Sequence, residues 1–435
     1  MDVGLWSRWV ALHGVPRAFM KVRAGLGDPM GKLIAGHGRS IDPYPLYDEI
    51  RSRGPVARAP RVWASADHAL CREVLRDRRF GVSAPTDIDL PTPLKSVVRG
   101  SDPGVPNPVE PPAMVIVDPP EHTRYRQLVA QSFTPRAVDA LHARVSEVTA
   151  TLLDRLAQLP QPDLIADFAA RLPVAIIADV LDLPADLHPR MLAWGRAGAP
   201  LLDIGIGWRT YRHAIEGLRD AGVALSARFA ELHAGGSGAS PFARLAADGS
   251  LTEREFTSNA ALLIGAGFET TVNLIGNGIV VPLEHPDQLA RLREDPALWP
   301  SAVEEILRLH SPVQMTARSA TSAVDVAGVH VPEGQMVALL LGGANRDPKV
   351  FDEPDRFDVT RPNARDHLSF ASGIHACIGA PLARIEAAIA LRALFENFPD
   401  LRITAPPTWG GLTNLRGHPR LQAALGSRAG CDVSG

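Results

Sequence analysis

The stretch "LTEREFTSNAALLIGAGFETTVNLIGNGIVV", residues 251 to 281, limits the folds open to this chain more than any other. Thr252 and Glu255 stand three apart, the spacing of a capping box, and mark a helix start. In the middle of the stretch, apolar residues fall on nearly every helical face. Such a helix has no polar side to offer solvent and must run through the centre of a domain. Pro282 is expected to end or kink it.

Helical periodicity continues elsewhere: "FTPRAVDALHARVSEVTATLLDRLAQL" places Val138, Leu141, Val145, Val148 and Leu152 at three- and four-residue steps. Strand signals are confined mainly to "VARAPRVWAS" and to residues 323 to 341, where two β-rich runs flank Pro332, Glu333 and Gly334. The fold class is therefore mainly α with minor β (α+β). The loops "PTPLKSVVRGSDPGVPNPVEPPAM" and "AGGSGASP" are short and helical patterns resume on both sides, so residues 41 to 426 are expected to form a single large domain. A helical extension (1 to 40) precedes it, and a polar tail (427 to 435) follows. The extension is read as packed on its own domain, with an amphipathic helix touching a membrane as the alternative; its charges rule out a membrane span. No function is assigned to the extension, and Cys71 is read as a helix core residue.

With 45 Lys+Arg against 48 Asp+Glu, the charge balance points to no nucleic-acid partner. Cys71, Cys377 and Cys431 are too scattered for a disulfide framework and suit a reducing compartment, read as the cytoplasm. Of these, Cys377 has the most telling surroundings, "SFASGIHACIGAPLARIE". A thiolate gains from the unpaired N–H groups of a following helix. Gly373 and Gly379 let the backbone approach something flat, Gly373 being able to take positive φ. No second cysteine lies nearby, so CxxC redox chemistry and Cys-rich metal sites lack support. Taken by itself, a lone cysteine is as readily a buried structural one.

The pattern Phe370, Gly373, His375, Cys377, Gly379 resembles the haem-binding signature of the cytochrome P450 family. Four other stretches resemble that family in the same chain order. "AGFETT" resembles the oxygen-activating motif, which puts the acid and alcohol on Glu269 and Thr270, with Ala266 and Gly267 beside the haem. Read without the resemblance, Thr270 back-bonds to its own helix. Glu305 and Arg308, with Arg356, match the Glu-x-x-Arg pair and arginine triad. His122 and Arg126 lie four apart on one helical face, and the resemblance assigns them to the haem propionates. It gives Arg318, on a strand, the same role, with His375 helping. Ala371 departs from the pattern, standing where the family usually has a second glycine.

The resemblance implies a cytochrome P450-like fold whose long central helix crosses over haem b, and Cys377 as the iron ligand. It implies a soluble bacterial monooxygenase that activates dioxygen to hydroxylate or epoxidise a lipophilic small molecule, with Glu269 and Thr270 catalytic in proton delivery. No G-x-G-x-x-G follows a strand, so electrons are expected from elsewhere, and the resemblance implies a ferredoxin with its NAD(P)H-dependent reductase. That partner would dock near Cys377, with charge from Arg124 or Arg384. Substrate contacts are expected from residues 83 to 115, from 195 to 213, and around Ala266 and Gly267; "LLDIGIG" forms either an entrance lid or plain packing. The rival readings are a haem-thiolate isomerase, dehydratase or coupling enzyme that inserts no oxygen, a haem sensor, and a cofactor-free helical binding protein.

Overall fold

The computed structural model describes residues 2–36, 41–59, 62–84, 92–236 and 238–429. Cys431 and part of the Pro-rich loop, residues 85 to 91, lie outside them.

The long helix spans Glu253–Glu284. Its capping box is complete: Glu255 N–H donates to Thr252 Oγ1 at 3.3 Å and Thr252 N–H to Glu255 Oε2 at 2.9 Å. The helix passes through Pro282 and stops two residues later at Glu284, with His285 N–H donating to the Pro282 carbonyl. Helices Arg171–Leu181, His188–Gly198, Trp208–His233, Trp299–Leu309 and Ala380–Asn397 surround it, as its all-round apolar character requires. Their buried side chains form one continuous core with Phe256, Ile264, Phe268 and Ile275.

The strands form a smaller layer. β1 (Ala57–Ala59), β2 (Val62–Ser65), β3 (Phe80–Gly81), β4 (Thr316–Ala320) and β7 (Met336–Leu339) make one sheet in the order β1-β2-β7-β4-β3. β7 runs parallel to β2, with Trp63 opposite Val337, and antiparallel to β4, with Arg318 opposite Val337. β5 (Val324–Val326) pairs with β6 (Val329–Val331), and β8 (Arg402–Ile403) with β9 (Ala423–Ala424).

Two β-rich runs on either side of Pro332–Gly334 were the expectation for residues 323 to 341, and the structure divides the segment differently. The tight turn is at Ala327 and Gly328, whose φ of 48° and 77° suit a hairpin. β7, buried along Val337–Leu339, leaves that hairpin and enters the main sheet as a central strand. Sheet strands and the helix His68–Arg76 share a second core around Cys71, whose thiol burial pushes up to about 12.

The N-terminal segment is helical throughout Val3–Gly25: Val3–Trp9, a π-turn over Val10–Gly14, then Val15–Gly25. It packs on the rest of the chain. Arg8, almost fully buried, donates to the Val98 carbonyl and to Glu110 at 2.7 Å. Trp9 Nε1 donates to the Ile206 carbonyl at 2.9 Å.

Candidate active site

From Phe256 through Pro282 every residue of the long helix is buried except Gly265, Ala266, Gly267, Glu269 and Thr270. The accessible residues of this stretch are thus gathered on one turn and a half of the helix. Thr270 Oγ1 donates to the Ala266 carbonyl at 2.6 Å and Thr271 Oγ1 to Gly267 at 2.9 Å. The back-bond expected from chemistry alone is therefore present, and it leaves the Thr270 oxygen able to accept a further hydrogen bond. Among the described residues the Glu269 carboxyl has no hydrogen-bond or ion-pair partner, and burial raises its pKa, with Arg196 opposing.

Cys377 lies in the loop that leads from Leu368 to the helix Ala380–Asn397. Its N–H donates to the Phe370 carbonyl at 2.9 Å, folding the loop back on itself. Gly373 sits at φ 74°, and a Cβ there would collide with the Leu75 carbonyl, so only glycine serves. Ala371 takes φ 56°, left-handed backbone that costs an alanine roughly 1 kcal/mol. The departure from the family glycine is thus a strained residue held by its surroundings, with its N–H bonded to Leu368. At Gly379 a Cβ would meet only Phe133 Cε1 at 3.9 Å, so the protein itself does not demand glycine there.

The Cys377 side chain is accessible at its surface yet ringed by protein, as one facing a hollow would be. Desolvation raises the thiol pKa; the Gly379 and Ala380 N–H groups, Arg126 and Arg384 work the other way. The helix N-terminus expected to favour the thiolate is present, but burial outweighs it, and a metal ion would supply the remaining pull.

A basic cluster adjoins the thiol. His122 and Arg126 lie on the helix Glu121–Ala130, Arg318 on β4 and His375 in the cysteine loop. The His122 and His375 ring centroids are 4.1 Å apart, and His375 Nε2, buried without a hydrogen bond, has Asp118 Oδ1 at 3.6 Å. Desolvation and the neighbouring His122, Arg318 and Arg126 push His375 down to about 3. Desolvation also lowers Arg318 to about 10, and it lowers Arg126 and His122. A buried guanidinium, Arg318, a half-buried one, Arg126, and two imidazoles with buried side chains, with Asp118 as the one near carboxylate among the described residues, make a site short of negative charge, and an anionic group such as a propionate fits it. Iron fits the accessible thiol, and a flat macrocycle the opening at Ala266 and Gly267.

Behind the loop two buried ionic clusters brace it. Glu305 takes both Nε (2.7 Å) and Nη2 (2.8 Å) of Arg308, whose Nη1 donates to the Asn345 and Pro354 carbonyls. The third member is Arg361, not Arg356. Arg361 Nε donates to Glu305 Oε1 at 3.0 Å with its side chain 7% exposed, whereas the Arg356 side chain is 56% exposed and pairs with Glu353. Arg356 contributes its carbonyl, which accepts from Arg308 and Arg361. Both arginines lie in one Pro-containing loop, and spacing alone did not tell them apart.

Glu304 forms the second cluster. Its carboxylate accepts from His367 Nε2 at 3.0 Å and from Arg384 Nε at 2.7 Å, and the Arg384 guanidinium lies over the Phe370 ring at 4.5 Å. Burial alone would raise Glu304; His367 and Arg384 overcome it and hold the carboxyl at about 2. Sequence reasoning missed Asp118, Glu304, His367 and Arg361. Adjacent acids in "AVEEILRL" were the only local signal for Glu304. Arg384 and Arg124, expected to supply docking charge, are both engaged by carboxylates, Arg124 by Glu255.

The expected substrate segments lie near one another. In "LLDIGIG", Leu201 and Ile206 are core residues packed with Leu5, Tyr211 and Ile215, while Leu202 and Ile204 are exposed. Buried Asp203 fixes this loop by accepting from the Thr413 and Asn414 N–H groups at 2.6 and 2.7 Å.

Comparison with known proteins gives one consistent result. The cytochrome P450 family model matches residues 242–403. A Mycobacterium tuberculosis (strain ATCC 25618 / H37Rv) protein named as cytochrome P450 140 is 42% identical over 425 residues, 96% of this chain and 97% of that protein. The vitamin D(3) 25-hydroxylase of Pseudonocardia autotrophica is 35% identical, covering 89% of this chain and 95% of its own. Among solved structures, ligand-free CYP164A2 of Mycobacterium smegmatis superposes with a TM-score of 0.79 at 34% identity, over 88% of this chain and 96% of its own.

Proposed function

Since the chain belongs to the cytochrome P450 family, we propose that the Cys377 thiolate would hold the iron of a haem b. The fold is that of the family, and the chain is a haem-dependent monooxygenase. The observation that carries the finer reading is the convergence of Arg126, Arg318, His122 and His375 beside the Cys377 loop with so little negative charge among them.

When bound, the haem supplies dioxygen activation, its thiolate ligand favouring O–O cleavage. Arg126 and Arg318 would hold its propionates by charge-assisted hydrogen bonds, and the imidazoles of His122 and His375 would complete the set. Phe370, Gly373 and Gly379 shape the loop that presents the thiol. On the opposite side Ala266 and Gly267 leave room for the macrocycle and substrate. Glu269 and Thr270 are the catalytic pair: a carboxyl whose pKa burial raises, beside a hydroxyl oxygen free to accept. Water excluded by the surrounding core keeps that proton path directed.

The substrate is a lipophilic small molecule that is hydroxylated or epoxidised, in keeping with relatives named 6-deoxyerythronolide B hydroxylase and vitamin D(3) 25-hydroxylase. Electrons come from a ferredoxin and its NAD(P)H-dependent reductase, docking on the side of the cysteine loop. Residues 41 to 426 act as one domain in the cytoplasm; among the described residues no helix is long and apolar enough to cross a membrane. The test is the carbon monoxide difference spectrum of reduced protein. A strongly red-shifted Soret band is expected in wild type and absent in Cys377→Ala. A spectrum indifferent to that substitution would refute the ligand.

A further inference from the structure

The N-terminal helix turns the wrong face outward. In Val15–Gly25 and its cap, Val15, Phe19, Val22 and Leu26 follow steps of four, three and four, so they line one edge of the helix. All four are exposed, from 38% at Phe19 to 72% at Leu26. The opposite side does the packing: Met20 enters a core with Met30, Leu33 and Tyr47. At Gly31 a Cβ would stand 2.7 Å from Ala24 N, so this glycine lets the next helix, Pro29–Ala35, lie directly against the first. The outward apolar ridge is therefore fixed in place by a firm anchor behind it.

The same helix carries Arg17, Lys21 and Arg23 and no carboxylate. Lys21 is exposed beside the ridge. Arg17 lies across the 201 to 207 loop, its Cβ close against Gly205 and its Nη1 3.5 Å from where a Gly207 Cβ would stand. That loop adds exposed Leu202 and Ile204 to the apolar surface. Arg23 is paired with Asp28 at 3.5 Å, which leaves Lys21 as the exposed cation, and an amphipathic helix with a projecting apolar ridge and a cation at its edge matches an anionic bilayer surface in shape and charge.

The helical run also bridges two segments expected to line the substrate pocket. Arg8 is bonded to the Val98 carbonyl and Glu110, Trp9 to the Ile206 carbonyl, and the His13 ring lies 5.2 Å from Tyr211.

We propose that the outward face of residues 15 to 26, with Leu202 and Ile204, is a peripheral docking surface for anionic membranes, which sets the pocket segments against the bilayer where lipophilic substrates partition. The docking surface stands on its own observations; only the supply of substrate from the bilayer rests on the monooxygenase reading. The test is co-sedimentation of full-length, haem-loaded protein with vesicles of phosphatidylglycerol and phosphatidylcholine, against phosphatidylcholine alone. Binding is expected only to the anionic vesicles and is weakened by salt. Lys21→Glu lowers it at least about fivefold, and Phe19→Asp with Leu26→Asp abolishes it. An unchanged carbon monoxide spectrum in the variants shows that the fold is intact. Absence of binding to either vesicle, or binding that ignores these substitutions, overturns the proposal. So does a wild-type dimer that Leu26→Asp converts to monomer without any vesicle binding, since the ridge would then belong to a second copy. Vesicle binding is read without turnover, so its failure leaves the monooxygenase reading untouched, and a failed turnover assay leaves the docking surface standing.

Discussion

Replacing Arg361 by alanine tests the ionic cluster behind the cysteine loop. The guanidinium makes four hydrogen bonds: to Glu305 at 3.0 Å, and to the Asp352, Glu353 and Arg356 carbonyls at 2.6, 3.2 and 3.0 Å. Its removal takes one cation from a fully buried carboxylate and leaves the Asp352, Glu353 and Arg356 carbonyls, in part-buried surroundings, without this donor. Arg308 and the Asp358 N–H still hold Glu305, so the loss falls short of a fully broken buried pair. Breaking a buried pair costs about 3–5 kcal/mol, and about 3 kcal/mol is the expected loss here. Arg356→Ala removes only a solvent-screened, exposed pair three residues apart, and no measurable loss is expected. Urea denaturation of the haem-loaded protein, followed at the Soret band and by far-UV circular dichroism, separates the two. Equal destabilisation by both variants, or a larger effect from Arg356→Ala, would refute the assignment of Arg361 to the cluster.

Three further outcomes follow from the geometry. Ala371→Val places a β-branched side chain at φ 56° and should cost about 2 kcal/mol more than wild type, with lower haem content on purification; a stability unchanged in denaturation would show the turn to be unstrained. Glu386 is buried with Oε2 unpaired, and desolvation raises its pKa to about 8. Because the folded state holds the proton more tightly, this group's stability is complete below about pH 4.5 and falls as pH rises to about 8; Glu386→Gln should flatten that slope in pH-dependent denaturation, and an unaltered slope would rule the group out. Glu269→Gln, which keeps shape but cannot shuttle a proton, should lower product formed per electron consumed by about 10-fold or more, read as the ratio of product to NAD(P)H oxidised in a reconstituted assay, whereas full coupling would remove Glu269 from the proton path.

What could be read from the sequence was local. Thr252 and Glu255, His122 and Arg126, and Glu305 and Arg308 are neighbours along a helix, so a spacing of three or four residues was enough to pair them. Ala371 was flagged at the right position because the backbone requirement belongs to a single residue. Contacts that cross the chain left no such trace. Arg361 meets Glu305 from 56 residues away, and His367 and Arg384 meet Glu304 from 63 and 80. β7 was misassigned for a related reason: it lies between β4, which precedes it closely in the chain, and the far N-terminal β2, which pairs Trp63 with Val337, and no turn residue announces the distant partner. The exposed ridge of the N-terminal helix was legible as amphipathic, but which face would pack depended on Met20 finding Met30 and Leu33.

The basic cluster has a consequence for the life of the protein in the cell. A freshly made chain must bring Arg126 and Arg318 together with two imidazoles, and among the described residues the carboxylate beside them, Asp118, stands 3.6 Å from His375. Until a doubly anionic group arrives, that corner of the fold repels itself. Quality control would then meet the chain as an unfinished product and clear it, so a cell starved of iron or porphyrin would hold less of the protein altogether, with no idle stock waiting for cofactor.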